Sequence, residues 1–102
     1  MKPVILSADG EAMLYSVPDA VAEHLEDCCM AFCTRWLWES PEAERYRRTV
    51  NGVTVVCYTE TDFIDYLNTH AFPDQPSLLI EGLKCPFYEI PARYQNLPRF
   101  NF

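Results

Sequence analysis

Five cysteines and two histidines are the side chains of this sequence best suited to metal binding or nucleophilic catalysis. His24 and Cys28 are four residues apart, as are Cys29 and Cys33, so each pair would share one face of a helix. The two pairs are offset by about 100° around the helix axis, because Cys28 and Cys29 are consecutive. They therefore cannot close one tetrahedral site, and no CxxC motif supplies another. We expect these cysteines to be small core residues, with a Cys/His metal site as the alternative.

A thiol nucleophile is the second chemistry to consider, and Cys57 is its best candidate. Cys57 ends a predicted strand just before Thr59, which would cap the next helix. A catalytic thiol needs a nearby base that favours the thiolate. His70 lies at the far end of that helix, about 15 Å away along its axis, and no nucleophile motif surrounds any cysteine. We expect Cys57 to be buried rather than catalytic, with a thiol-dependent enzyme as the alternative.

Carboxylates form two groups on the predicted solvated faces of two helices. They are Glu23, Glu26 and Asp27 in the first group and Glu60, Asp62 and Asp65 in the second. Paired acids catalyse proton transfer when their surroundings give the two carboxyl groups different pKa values. On a solvated helix face the surroundings of the carboxyl groups are too similar for this. The three glycines are too scattered for a phosphate-binding loop, and no calcium-binding loop motif is present. The sequence therefore predicts neither an enzyme nor a bound cofactor or metal.

Proline, glycine and capping residues divide the chain into short elements. Asn51-Gly52 supplies the positive φ angles of a two-residue hairpin turn. Ser16 is the expected cap of a long helix that runs to Trp38. The predicted strands span residues 2–7, 12–17, 47–50, 53–58 and 77–83, the last beside the Asn-Gly hairpin. Two further helices are predicted at 40–46 and 60–70, followed by aromatic coil at 86–102 with one helical turn near 92–95.

This order of elements predicts an α+β fold. We expect a small antiparallel sheet of three to five strands, with two main helices packed on one face and an irregular aromatic C-terminal tail. At 102 residues, one domain is expected.

Charge limits the partners that the protein can bind. Fifteen acidic residues against eight basic ones give a formal net charge of -7. Nucleic-acid affinity comes mainly from basic side chains that neutralise phosphates, so direct binding to nucleic acid is disfavoured. Binding to an anionic membrane is disfavoured for the same reason. The local exception is the cluster of Arg45, Arg47 and Arg48, which either contacts an anion or neutralises nearby glutamates.

The sequence thus favours a small non-catalytic protein-interaction module, such as an inhibitor or regulator. Its acidic faces would suit the basic groove of a nucleic-acid-handling protein. A structural homo-oligomer is an alternative, in which Trp38, Phe100 and Phe102 contact a twin subunit. We therefore expect Trp38, Phe100, Phe102 and the two carboxylate groups to bind a partner. The odd number of cysteines and the short apolar run near the start favour a reduced, cytoplasmic protein.

Overall fold

The computed structural model describes residues 1–102 and confirms the predicted α+β class. The strands are β1 (Lys2–Ser7), β2 (Glu11–Val17), β3 (Arg47–Val50), β4 (Val53–Val56), β5 (Leu78–Pro86) and β6 (Arg99–Asn101). The α-helices are α1 (Asp19–Glu23), α2 (Leu25–Ala31), α3 (Leu37–Glu39) and α4 (Glu60–Tyr66). Two π-helical turns cover Phe32–Trp36 and Leu67–Ala71, and 3₁₀ turns cover Pro41–Tyr46, Phe87–Glu89 and Ala92–Tyr94.

The predicted hairpin of the first two strands is the centre of a four-stranded sheet. Val4 lies opposite Tyr15 in antiparallel register. The hydroxyl of Ser7 closes the turn, since it donates to the Gly10 carbonyl and accepts from the Gly10 N–H. Strand order is β5-β2-β1-β6, so β5 and β6 are the two edges.

The chain's last residues differ from the expected coil. β6 pairs with β1 in parallel, with Phe100 opposite Leu6, which makes the sheet mixed rather than wholly antiparallel. The Phe102 N–H extends this pairing by donating to the Ser7 carbonyl at 2.8 Å. A three-residue strand has too little alternation to be detected from sequence, and its pairing partner is more than 90 residues away.

The position of β5 also differs from the prediction. A strand is present where one was expected, but it pairs with β2 and not with the hairpin of β3 and β4. Asn68, in the turn after α4, explains this placement. Its side chain donates to the Ser77 carbonyl at 3.0 Å and accepts from the Ser77 N–H at 2.6 Å. Because Ser77 is held there, β5 begins beside Ser16 of β2.

The predicted long helix is present as a series of shorter segments. Ser16 is not its cap, because Ser16 belongs to β2, and Pro18 takes the position before the first helical residue. His24 interrupts the helix with φ −133° and ψ 41°, which separates α1 from α2. The π-helical turn Phe32–Trp36 then links α2 to α3. The helical spacing of apolar Val21, Leu25 and Phe32 predicts the buried face, and all three are buried. Such periodicity does not detect a single non-helical residue.

Three other local predictions are confirmed. Asn51 and Gly52 have φ values of 51° and 78°, as a two-residue hairpin turn between β3 and β4 requires. Thr59 and Asp62 form the capping box that begins α4. Pro41–Tyr46 is helical as predicted, in the tighter 3₁₀ form.

Apolar side chains cover both faces of the sheet. Val4, Leu6, Tyr15 and Val17 face the helices, where Phe32 is the centre of an aromatic cluster. The ring of Trp36 links the two π-helical turns, with its centroid 4.8 Å from that of Tyr66 and 5.1 Å from that of His70. The residues on the opposite face of the sheet are Ile5, Ala12 and Leu14, and they pack against Ile90 of the C-terminal segment.

Candidate functional site

Strand β5 exposes three consecutive large apolar side chains, Leu78, Leu79 and Ile80, which we call the edge patch. They are 65%, 52% and 52% exposed, respectively. β5 pairs only with β2, so the backbone groups along its outer side have no strand partner. Such an edge is open to pairing with another chain, and protein surfaces rarely leave it both apolar and uncharged.

The edge patch contains a β-bulge, which breaks the regular alternation of side chains at Ile80. Leu79 lies opposite Tyr15 and Glu81 lies opposite Leu14, so Ile80 is an extra residue in a β-bulge. The sequence did not reveal this surface, because a short apolar run is typical of a buried strand. The sequence does not show which strands lie beside β5, and an edge position can be recognised only once the sheet order is known.

The six carboxylates predicted to bind a partner have different surroundings. Glu23 pairs with the Lys2 ammonium group at 3.1 Å. Asp62 accepts a hydrogen bond from the Thr59 N–H at 2.9 Å, which gives it a structural role at the start of α4. Glu60 is half-buried. The fully exposed members with no salt bridge are Glu26, Asp27 and Asp65.

Three of these carboxylates lie close to other functional groups: Glu60 and Asp65 near Tyr15, and Asp27 near Arg35. Burial raises the pKa of Tyr15, and the nearby charges of Glu60 and Asp65 raise it further. Asp27 lines a groove of about 330 Å³ between α2 and the end of α4, together with Arg35. The groove therefore has one cation beside its acid, and the binding of a partner by the two carboxylate groups stays a prediction.

The predicted aromatic contacts divide into one surface residue and two internal ones. Trp38 is 45% exposed, and its indole N–H donates to the Cys33 carbonyl at 3.1 Å. Phe100 and Phe102 are half-buried, and their ring centroids lie 4.9 Å apart. Phe102 also packs against Phe63 at 5.4 Å. Phe100 and Phe102 thus contribute to the fold's own aromatic cluster, and Trp38 is the one residue of these three that is exposed.

The cysteines do not converge on one centre. Burial raises the pKa of Cys28 and of Cys29, which favours the neutral thiol over the nucleophilic thiolate. Cys57 was expected to be buried, and this was wrong: it is exposed, because the chain has left β4 at Val56. His24 lies at the break between α1 and α2, so His24 and Cys28 do not share one continuous helical face. Nowhere do three His, Cys, Asp or Glu side chains meet in an arrangement able to hold a metal ion.

Comparisons with known proteins bring no relative to this fold. No family model matches the chain, and searches of curated proteins and of solved structures find no match either. None of the helices has the length and apolar character needed to cross a membrane. Function must therefore be inferred from the surfaces themselves.

Proposed function

We propose that this chain is a small, acidic, non-catalytic protein-interaction module that inhibits or regulates a protein partner. The observation that carries the proposal is the edge patch, which combines exposed apolar side chains with an unpaired strand edge. An extended segment of a partner would add to β5 as a further strand, gaining backbone hydrogen bonds and burying Leu78, Leu79 and Ile80.

The expected partner segment is apolar with basic residues beside it. The net charge of -7 favours cationic partners and speeds their association through long-range attraction. A protein with a basic groove for nucleic acid is one such partner. The neutral thiols of half-buried Cys28 and buried Cys29 agree with a non-catalytic role in a reducing compartment such as the cytoplasm.

Affinity purification with two matched lysine variants tests the proposal. Ile80→Lys places a charge on the edge patch, at a bulge residue that has no partner in β2. Met30→Lys is the control, because Met30 is an exposed apolar residue on α2, away from β5. Loss of the buried part of Ile80 costs a complex about 1 kcal/mol, and burial of the new charge costs more. We expect at least about tenfold weaker binding for Ile80→Lys and unchanged binding for Met30→Lys.

The proposal is supported if the natural chain and Met30→Lys recover the same stoichiometric partner and Ile80→Lys does not. Equal recovery with all three chains would place the interface elsewhere, and recovery of no partner at low salt would count against the interaction module. Circular dichroism of each variant shows whether the fold is intact.

A structural homo-oligomer is the second candidate, and the same edge favours it. An unpaired strand at a sheet edge pairs with its own copy around a two-fold axis, which joins two sheets into one. Sedimentation velocity separates the two candidates. A dimer that Ile80→Lys converts to a monomer supports the homo-oligomer, whereas a monomer at all concentrations leaves only the foreign partner.

A further inference from the structure

The most spacious cleft of the molecule has a composition unlike the rest of its acidic surface. It is an open cleft of about 550 Å³ between the end of the α2–α3 helical region and the hairpin of β3 and β4. This volume is within the usual range for small-molecule sites. The residues that line it, which together we call the indole cleft, are Trp38, Glu44, Arg47, Arg48, Thr49 and Thr54.

Neighbouring groups hold the principal side chains of the indole cleft in place. The Trp38 indole N–H donates to the Cys33 carbonyl at 3.1 Å, so the ring is fixed although it is exposed. One guanidinium nitrogen of Arg47 donates to the Leu37 carbonyl at 3.0 Å. Because both groups are already positioned, a ligand would lose less free energy in ordering them than at a flexible surface.

The hairpin supplies the other side of the cleft. Thr49 and Thr54 are direct cross-strand partners, so their side chains lie on the same face of the hairpin. Arg47 precedes Thr49 by two residues in β3 and shares that face. Two hydroxyls and the Arg47 guanidinium therefore lie together on the cleft side of the hairpin. Arg48 alternates to the other face and only borders the cleft.

These groups match a ligand that has a flat ring at one end and an anion at the other. An exposed indole face stacks on planar rings, and arginine binds phosphate through paired N–H donors. Glu44 accepts hydrogen bonds and repels a second anion, so the ligand's other end must offer hydroxyl or amino donors. We propose that the indole cleft binds a nucleoside monophosphate, with its base on Trp38, its phosphate at Arg47, and its ribose or amino donors toward Glu44.

Overall charge limits the ligand to one nucleotide. With a net charge of -7, the protein repels a long polyanion, so a polynucleotide is not the expected ligand. The sequence has no glycine-rich phosphate loop, and the site relies on side chains instead. We therefore expect weak binding, with a Kd of about 0.1–1 mM.

Titration of the full chain with adenosine 5′-monophosphate tests this site, followed by NMR chemical shifts of the indole N–H and backbone amides. Trp38→Ala and Arg47→Gln are each expected to weaken binding at least about tenfold, a loss of about 1.4 kcal/mol. Arg45→Gln is the matched control, because Arg45 carries the same charge nearby but packs on Tyr46 outside the cleft. Arg47→Lys keeps the charge and a donor for the Leu37 carbonyl but loses the paired N–H groups, so it reports on phosphate binding even if Arg47→Gln fails to fold.

Inorganic phosphate and phenyl phosphate serve as competing probes, the second having a ring and a phosphate but no hydroxyl or amino donor for Glu44. Selective, saturable binding of the nucleotide, lost in Arg47→Gln and kept in Arg45→Gln, supports the proposal. Equal affinity for inorganic phosphate would show that the ring is not recognised, and equal affinity for phenyl phosphate would show that Glu44 does not select the ligand. Either result overturns the assignment, as does the absence of binding at about 5 mM nucleotide.

Discussion

Replacement of Phe102 by alanine is expected to destabilise the fold by about 3 kcal/mol. The ring centroid of Phe102 lies near four others, at 4.9 Å from Phe100, 5.4 Å from Phe63, 5.9 Å from Tyr58 and 6.1 Å from Phe32. Replacement of a fully buried Phe by Ala costs about 3–5 kcal/mol of stability, so we expect about 2 kcal/mol for the half-buried Phe102. The edge-to-face contacts add about 1 kcal/mol.

Urea denaturation followed by circular dichroism measures this loss. For a chain of this length, about 3 kcal/mol corresponds to a fall in Tm of roughly 12–24 °C. Tyr88→Ala is the matched control, because Tyr88 is an aromatic residue of the same C-terminal segment that is 84% exposed. We expect the control to remain within about 0.5 kcal/mol of the natural chain.

The competing interpretation is that Phe100 and Phe102 form a contact reserved for a partner. In that case Phe102→Ala would leave the free energy of unfolding of the isolated chain unchanged and would weaken only the complex. A loss below about 0.5 kcal/mol would therefore refute the packing described for Phe102. A large loss would show that the tail belongs to the core, which leaves the edge patch as the main apolar docking surface.

Three further changes test individual interactions. Asn68→Ala leaves the backbone N–H and carbonyl of Ser77 without their partners, and should cost about 2 kcal/mol in urea denaturation, with Asn68→Asp intermediate because it keeps the acceptor. Gly52→Ala places a methyl group at φ 78°, where no other atom lies within contact distance. We expect it to lower the free energy of unfolding by about 1 kcal/mol through backbone strain alone, measured as a lower Tm. Burial raises the pKa of Cys29 above its ordinary 9.0, so the folded state holds this proton more tightly than the unfolded chain. The stabilisation linked to this thiol proton is complete below pH 9.0 and is lost as pH rises from there toward the folded-state pKa. Cys29→Ala should therefore reduce the fall in the free energy of unfolding between about pH 9 and 11, as measured by urea denaturation at each pH.

Features determined by a few adjacent residues were predictable from the sequence. The Asn51-Gly52 turn and the Thr59–Asp62 capping box depend on the backbone preferences and hydrogen bonds of neighbouring residues, and both are present. The hairpin of β1 and β2 was predictable for the same reason, since its strands are joined by a short turn.

Features determined by distant partners were not predictable in this way. Ser16 has the composition of a helix cap, but its pairing with both Pro3 and Leu78 keeps it in a strand. The same holds for β6, whose pairing with β1 joins opposite ends of the chain. Local sequence patterns predicted most of the strands and helices, whereas the order of strands in the sheet depended on which surfaces could be buried together.

The candidate site was only partly predictable, for a related reason. Exposure of Trp38 was predictable, because it lies two residues after Trp36, about 200° around the helix axis from the apolar stripe that contains Val21, Leu25, Phe32 and Trp36. Exposure of Leu78 to Ile80 did not, because an apolar run predicts burial until the sheet order shows that β5 is an edge. The indole cleft likewise joins residues from a helix and a hairpin that no local pattern connects.

The acidic surplus alone does not specify a partner. Two of the six predicted carboxylates have local roles, Glu23 in a salt bridge with Lys2 and Asp62 in the capping box. The exposed ones act through a field that salt screens within about 8 Å, and each exposed pair contributes at most about 1 kcal/mol. The edge patch acts only at contact and also fixes direction, since strand pairing requires matched backbone groups. We infer that charge selects the class of partner, while β5 determines which segment of that partner is bound and in what register.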